Sequence, residues 1–194
     1  MNITYKINQA LNVAAVAHAK QLRKGSATPY IVHPFAVATI VSNYTDNEDA
    51  IIAALLHDVL EDASDVYPEA KMLQDFGSRV VEIVNNVSEK KLSSNGEEKP
   101  WKERKTKYQE HLSQINDNMS ILVTTADKIH NLISMSADYT EIGDKLWLKF
   151  NASKTEQLWN YESILNILKV KSLPEDMINQ LNILVDKLRA IVNN

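Results

Sequence analysis

The sequence predicts an all-α fold in a single domain. Apolar residues recur with the helical period over successive segments. Four glycines and five prolines in 194 residues leave little punctuation for a many-stranded sheet with tight turns. At 44% hydrophobic and 24% charged residues the composition is that of an ordinary globular chain, long enough to bury one substantial core. No internal repeat or composition shift divides residues 1–194, so one domain is expected.

The first helix is expected from Ile3 to Lys24, on the period Ile3, Ile7, Ala10-Leu11, Ala14 and Ala17, with Gly25 ending it and a loop to Tyr30. His33 precedes Pro34, a residue favoured in the first turn of a helix, and the second helix continues to about Tyr44. Asp46 or Asn47 can cap the third, which runs through the apolar stretch Ala50 to Leu56 and the sequence HDVLED to Asp62. Two shorter helices follow near Tyr67–Phe76 and Ser78–Ser88, with Gly77 between them. Glu89 to Lys99 is polar, contains glycine and serine, and reads as a mobile loop. Trp101–Ile115 and Asn118–Ser136 form two more helices, and a final pair covers Asp144–Lys169 and Pro174–Val192.

A net charge of -4 argues against a general nucleic-acid or membrane-surface binder, since both need a positive field. A small anionic ligand in a local basic pocket stays open. The absence of cysteine removes disulfides, thiolate ligands and a thiol nucleophile, which is compatible with a reducing compartment. Leu11 to Ala17 reads as a helix face and not as a signal peptide, and no apolar run approaches the ~20 residues of a membrane span. A soluble cytoplasmic protein is expected.

HDVLED concentrates the chemistry. His57, Asp58, Glu61 and Asp62 are ionisable and follow directly on an apolar helix. A buried helix does not carry that many such groups without compensation, and a bound metal supplies it. Adjacent helical residues lie about 100° apart at ~3.6 residues per turn, so His57 and Asp58 can converge on one ion off the helix. Glu61 and Asp62 stand one turn on, where Glu61 reaches a water on that ion without being a ligand. His33 and Asp127, from other helices, complete a set of two imidazoles and two carboxylates suited to Mn, Fe, Co or Zn. Alone, His33 before Pro34 also fits a cap or a packed loop residue, and Asp127 a surface carboxylate. The combination is what points to metal.

His33, then His57-Asp58, then Asp127 resemble the H…HD…D signature of the HD phosphohydrolase superfamily. Longer stretches narrow the resemblance: His18-Ala-Lys-Gln21-Leu-Arg23-Lys24, Pro29-Tyr30-Ile31-Val32-His33-Pro34, Ala53 through Asp62, Phe76-Gly77, and Ala126-Asp127-Lys128-Ile-His-Asn131. These resemble the hydrolase domain of RelA/SpoT enzymes and the stand-alone small alarmone hydrolases, including metazoan SpoT homologues. The similarity runs from Ile3 to Ile133, with its core motifs at 18–133, and is loose over the C-terminal helices at 144–192. It implies an all-α HD-domain fold and one Mn²⁺ per chain, held by His33, His57, Asp58 and Asp127. It also implies removal of the 3′-pyrophosphate from guanosine tetra- or pentaphosphate, a small-molecule partner. Glu61 and Asp62 match the family's catalytic pair, Arg23 and Lys24 its basic pair beside the nucleotide, and Asn131 a residue near the nucleotide. No synthetase portion fits in the remaining chain, so the degradative half alone is expected.

Several residues keep two readings. Arg23-Lys24 fits substrate contact or a solvated helix end helped by the macrodipole. His18 can line the pocket through Gln21 or be a satisfied structural histidine, and His130 lies close to Asp127 without an assigned role. The run Lys99, Lys102, Arg104, Lys105 and Lys107 is either a solvated helix face or a source of phosphate contacts. Lys154 and Tyr161 are further candidates for the substrate. Ala63 departs from the family, where a hydroxyl-bearing residue usually follows the acidic pair. Two other functions stay open: an HD-type phosphatase for a different nucleotide or dinucleotide, and a non-catalytic helical module that binds a nucleotide or protein.

Overall fold

The computed structural model describes residues 1–89, 97 and 99–193, and among them every regular element is helical. The elements are α1 (Tyr5–Ala17), α2 (Val32–Ser42), α3 (Glu48–Leu56), α4 (Val59–Asp62), α5 (Glu69–Phe76), α6 (Ser78–Val87), α7 (Trp101–Gln114), α8 (Asn118–Ile142), a 3₁₀ segment (Gly143–Lys149), α9 (Lys154–Leu168) and α10 (Glu175–Asn193). No helix among the described residues is long and apolar enough to cross a membrane. The expected mobile loop at 89–99 lies mostly outside the described residues.

The centre of the core is α3, in which Ala50 through Leu56 are all buried. A helix apolar on every side must be surrounded, and α3 packs against α1, α2, α6 and α8. Side chains such as Ile52, Leu55 and Leu56 are fully enclosed, each worth about 1.5–3 kcal/mol of transfer free energy. Asn47 caps α3 by accepting the Ala50 N–H at 2.9 Å. Thr4 caps α1 through the Ile7 N–H, and its hydroxyl also donates to Glu48, tying the starts of α1 and α3 together.

Four expected elements differ in the structure. α1 stops at Ala17, where the apolar period itself ends, and does not reach Lys24. Beyond it the chain doubles back: Arg23 N–H donates to Thr28 O and Tyr30 N–H to Gln21 O, with Gly25 at φ +70° making the turn. The third helix is not continuous through HDVLED, because His57-Asp58 form a turn between α3 and α4. α8 continues past Ser136 to Ile142, and the expected helix from Asp144 is a 3₁₀ segment followed by a separate α9. Ser153 and Glu156 make a capping box at the true start of α9.

α8, about 37 Å long at 1.5 Å per residue, is the beam that brings distant residues to one site. It packs on α2, α3, α6 and α10. Its N-cap is Asp117, which accepts from the Ser120 N–H and hydroxyl and from Arg79. Burial alone would raise the Asp117 carboxyl; Arg79 and Ser120 outweigh it and hold the group below its usual value. Asp117→Ala is therefore expected to destabilise the fold by about 1–2 kcal/mol near neutral pH. A carboxyl lowered in the folded state stabilises above its unfolded value of ~3.9, and that contribution is lost as pH falls through the folded value. Urea titrations should show the gap between Asp117→Ala and the natural chain at pH 7 shrinking at pH 2.5.

Candidate metal centre and its cleft

Three parts of the fold deliver four ligand-type side chains to one point. His33 comes from the first turn of α2, His57 and Asp58 from the turn after α3, and Asp127 from the middle of α8. His33 Nε2 lies 3.1 Å from Asp127 Oδ1 and 3.5 Å from Asp58 Oδ2; His57 Nε2 lies 3.1 Å from Asp58 Oδ2 and 3.9 Å from Asp127 Oδ1. Nitrogen and oxygen ligands ~2.0–2.2 Å from one ion stand ~3.0–3.5 Å from each other, so these spacings match the edges of a coordination shell.

Orientation supports the same fit. His57 Nδ1 donates to the Ala54 carbonyl at 2.8 Å, which turns Nε2 into the cluster. That Nε2 is buried and has no well-aligned hydrogen bond among the described residues, although Asp58 Oδ2 stands 3.1 Å away. His33 Nδ1 meets His130 Nδ1 at 2.7 Å; for His33 Nε2 to present a lone pair, His33 donates in that contact. His130, whose role the sequence left open, thus fixes the ring of His33. Burial, with His33 and Arg23 nearby, lowers His130 to about 4, so it stays neutral and able to accept.

Two adjacent part-buried carboxylates demand positive charge. Burial would raise Asp58, but His57 and His33 outweigh it and keep the group ionised. Burial would likewise raise Asp127, and Lys128 and His33 hold it far below its usual value. Burial alone would lower His57; Asp58 and Asp127 overcome that and raise it to about 9. The two carboxylates therefore favour positive charge at His57. His33 goes the other way, lowered by burial more than the two aspartates restore. His33, His57 and Asp58 form a group able to hold a metal ion, with Asp127 closing the fourth side.

Neighbouring groups hold the carboxylates in place. Tyr30 donates to Asp58 Oδ2 at 2.8 Å; Lys128 pairs with Asp127 Oδ2 at 2.7 Å; Asn131 donates to Asp127 Oδ1 at 2.5 Å. Tyr30 and Lys128 stand inside motifs already conspicuous in the sequence, but which carboxylate each one meets depends on the tertiary path. Glu61 accepts the Glu89 N–H at 2.9 Å, and Asp62 accepts from Gln21 at 3.0 Å. His18 is buried and hydrogen-bonded to Gln21 at 2.6 Å, so it braces the residue that reaches Asp62.

A cleft of about 720 Å³ adjoins the cluster at His130, Asn131 and Tyr30 and extends along α8 to Glu141. Arg23 and Lys24 line it. Arg23 donates to Asn131 at 2.9 Å and lies 5.5 Å from the Tyr30 ring; Lys24 lies 5.7 Å from the Phe150 ring. Tyr161 lines the cleft, whereas Lys154 is not among its lining residues and stands at the start of α9. Lys149, which the sequence did not single out, lines the cleft together with Lys24 and is anchored to Asp138 at 2.9 Å. Of the basic run, Arg104 and Lys105 pair with Glu89, Lys107 pairs with Glu103, and Lys102 covers Trp159.

Residues 10–155 match the HD-domain family. The chain belongs to that family. This HD domain is 38% identical over 129 residues to guanosine-3′,5′-bis(diphosphate) 3′-pyrophosphohydrolase MESH1 of Xenopus tropicalis, an alignment covering 65% of this chain and 67% of the relative. It is 36% identical over 126 residues to the guanosine-3′,5′-bis(diphosphate) 3′-pyrophosphohydrolase of Haemophilus influenzae, covering 64% of this chain and 18% of that protein. The bifunctional (p)ppGpp synthase/hydrolase SpoT of Escherichia coli K12 is 35% identical over 133 residues, again covering 18% of its length. The chain thus spans under a fifth of these bacterial relatives. Its fold is that of a metazoan ortholog of SpoT, with a TM-score of 0.77 at 24% identity over 98% of this chain and 99% of that one.

Proposed function

We propose that this HD domain is a divalent-metal-dependent phosphohydrolase that removes the 3′-pyrophosphate of guanosine tetra- or pentaphosphate. The products are GDP or GTP and pyrophosphate, and one Mn²⁺ per chain is the expected metal. The observation that carries this reading is the convergence of His33, His57, Asp58 and Asp127, each histidine Nε2 within 3.9 Å of both carboxylates, beside a cleft with Arg23 and Lys24 on its wall. The relatives named for this reaction support the choice of substrate. A cytoplasmic location is part of the same proposal.

In this reading the four ligands hold the ion, which when bound supplies Lewis acidity and brings the pKa of a water from about 15.7 towards ~7. The protein's own groups do the rest. Arg23, steadied by Asn131 and Tyr30, and Lys24, set against Phe150, bind the polyphosphate and offset its charge. Glu61 and Asp62 take the proton of the attacking water. Its oxygen bonds to the phosphorus bearing the 3′ oxygen, the P–O3′ bond breaks, and the proton is returned to the 3′ oxygen. Lys128, held on Asp127, keeps the carboxylate pair from accumulating uncompensated charge.

Purified protein, stripped of metal and then assayed with ppGpp with and without Mn²⁺, tests the proposal. Metal-dependent release of pyrophosphate is the expected result. Orthophosphate release from another nucleotide in a substrate panel would favour a different HD-type phosphatase, and no turnover of any nucleotide would favour a binding module.

Gly25 gives the cleft an independent test. At its φ of +70°, an added Cβ would stand 2.6 Å from the Lys149 side chain. Gly25→Ala is expected to cost about 1–2 kcal/mol in backbone strain and to push Lys149 from the wall. KM should rise severalfold while Mn²⁺ binding, measured by calorimetry, stays unchanged.

A further inference from the structure

Glu89 immediately follows α6 and its C-cap Ser88, outside the lining of the cleft, and joins Glu61 of α4 to α7. Ser88 Oγ donates to Val84 O at 2.8 Å and lies 3.4 Å from His57 O, seating this strap on the turn that carries His57. One residue on, the Glu89 N–H donates to Glu61 Oε2 at 2.9 Å. The Glu89 side chain, 10% exposed, pairs with Lys105 at 2.5 Å and Arg104 at 3.1 Å, both on α7. A carboxylate held between two cations in a poorly solvated place is a strong anchor, since each charge would be left buried if the other were removed. α4 holds only four residues, too short to fix Glu61 by itself.

We propose that Glu89 is a positioning residue: its carboxylate, gripped by Arg104 and Lys105, sets its backbone N–H so that the amide aims the Glu61 carboxylate at the site. This inference rests on the catalytic role proposed for Glu61. It also gives the inward half of the basic run a task, which is to hold α7 to the acidic turn.

The strap is tested first without any substrate. In the ¹⁵N-labelled, metal-free protein the Glu89 amide should resonate downfield and exchange slowly with solvent. Glu61→Ala should remove that shift, and Lys105→Met should speed exchange at residue 89 about tenfold or more. A Glu89 amide that exchanges freely in the natural chain overturns the proposal whatever the enzyme acts on. The second readout is kinetic. Glu89→Ala should lower kcat about 10–100-fold, with KM and Mn²⁺ stoichiometry within twofold, and Glu89→Gln should recover part of the rate. Thermal melts of both variants report folding. A folded Glu89→Ala protein with unchanged kcat overturns the positioning role. If the natural chain turns over no nucleotide, the proposed function fails while the amide measurement still decides whether the strap exists.

Discussion

Asp58→Ala is expected to lose metal and turnover together. Asp58 touches both histidines of the cluster, at 3.5 Å to His33 and 3.1 Å to His57, and receives the Tyr30 hydroxyl. Its removal deletes a ligand and half the negative charge that attracts the ion. Lewis-acid stabilisation is worth several kcal/mol, which at 1.36 kcal/mol per decade is about 10³-fold in rate. Calorimetric titration with Mn²⁺ and steady-state assays on the same preparation check the two losses. Retained turnover in metal-free Asp58→Ala would sink the mechanism.

Glu61→Gln should behave differently: metal kept, rate lost. The amide retains an oxygen to accept the Glu89 N–H, so the strap of residues 88–89 persists and proton handling alone is removed. General acid–base groups contribute about 10²–10⁴-fold, and kcat should fall within that range. KM and Mn²⁺ affinity should change little, because the substitution leaves His33, His57, Asp58 and Asp127 intact. A Glu61→Gln protein that fails to bind metal would assign Glu61 to the ligand set; one with undiminished kcat would leave the proton to Asp62.

The convergence of His33, His57, Asp58 and Asp127 was legible because these residue types are scarce and chemically distinctive. The chain has five histidines, and two of them meet Asp58 and Asp127. The turn at His57-Asp58 was not legible, since both residues keep right-handed helical dihedrals and the charge pattern continues at helical spacing. The end of α1 had a signal, the loss of apolar period after Ala17. Lys20, Arg23 and Lys24 suit a helix by propensity, however, and the bonds from Arg23 to Thr28 and Tyr30 to Gln21 decided otherwise. Ser153 and Glu156 carried the spacing of a capping box, which could have located the start of α9 and separated it from the segment after Gly143. Lys149 and Lys154 cannot be told apart by local sequence, because the wall of the cleft is set by how the 3₁₀ segment returns over Gly25. The Glu89 strap is likewise tertiary, joining residues from the ends of α6 and α4 and from α7.

The most direct measurement of the central claim is an electron paramagnetic resonance titration of Mn²⁺ into chelator-treated protein. The free-ion signal should stay suppressed until one equivalent per chain has been added, and appear from the first addition in Asp127→Ala. A free-ion signal that rises from the first addition to the natural chain would contradict the account.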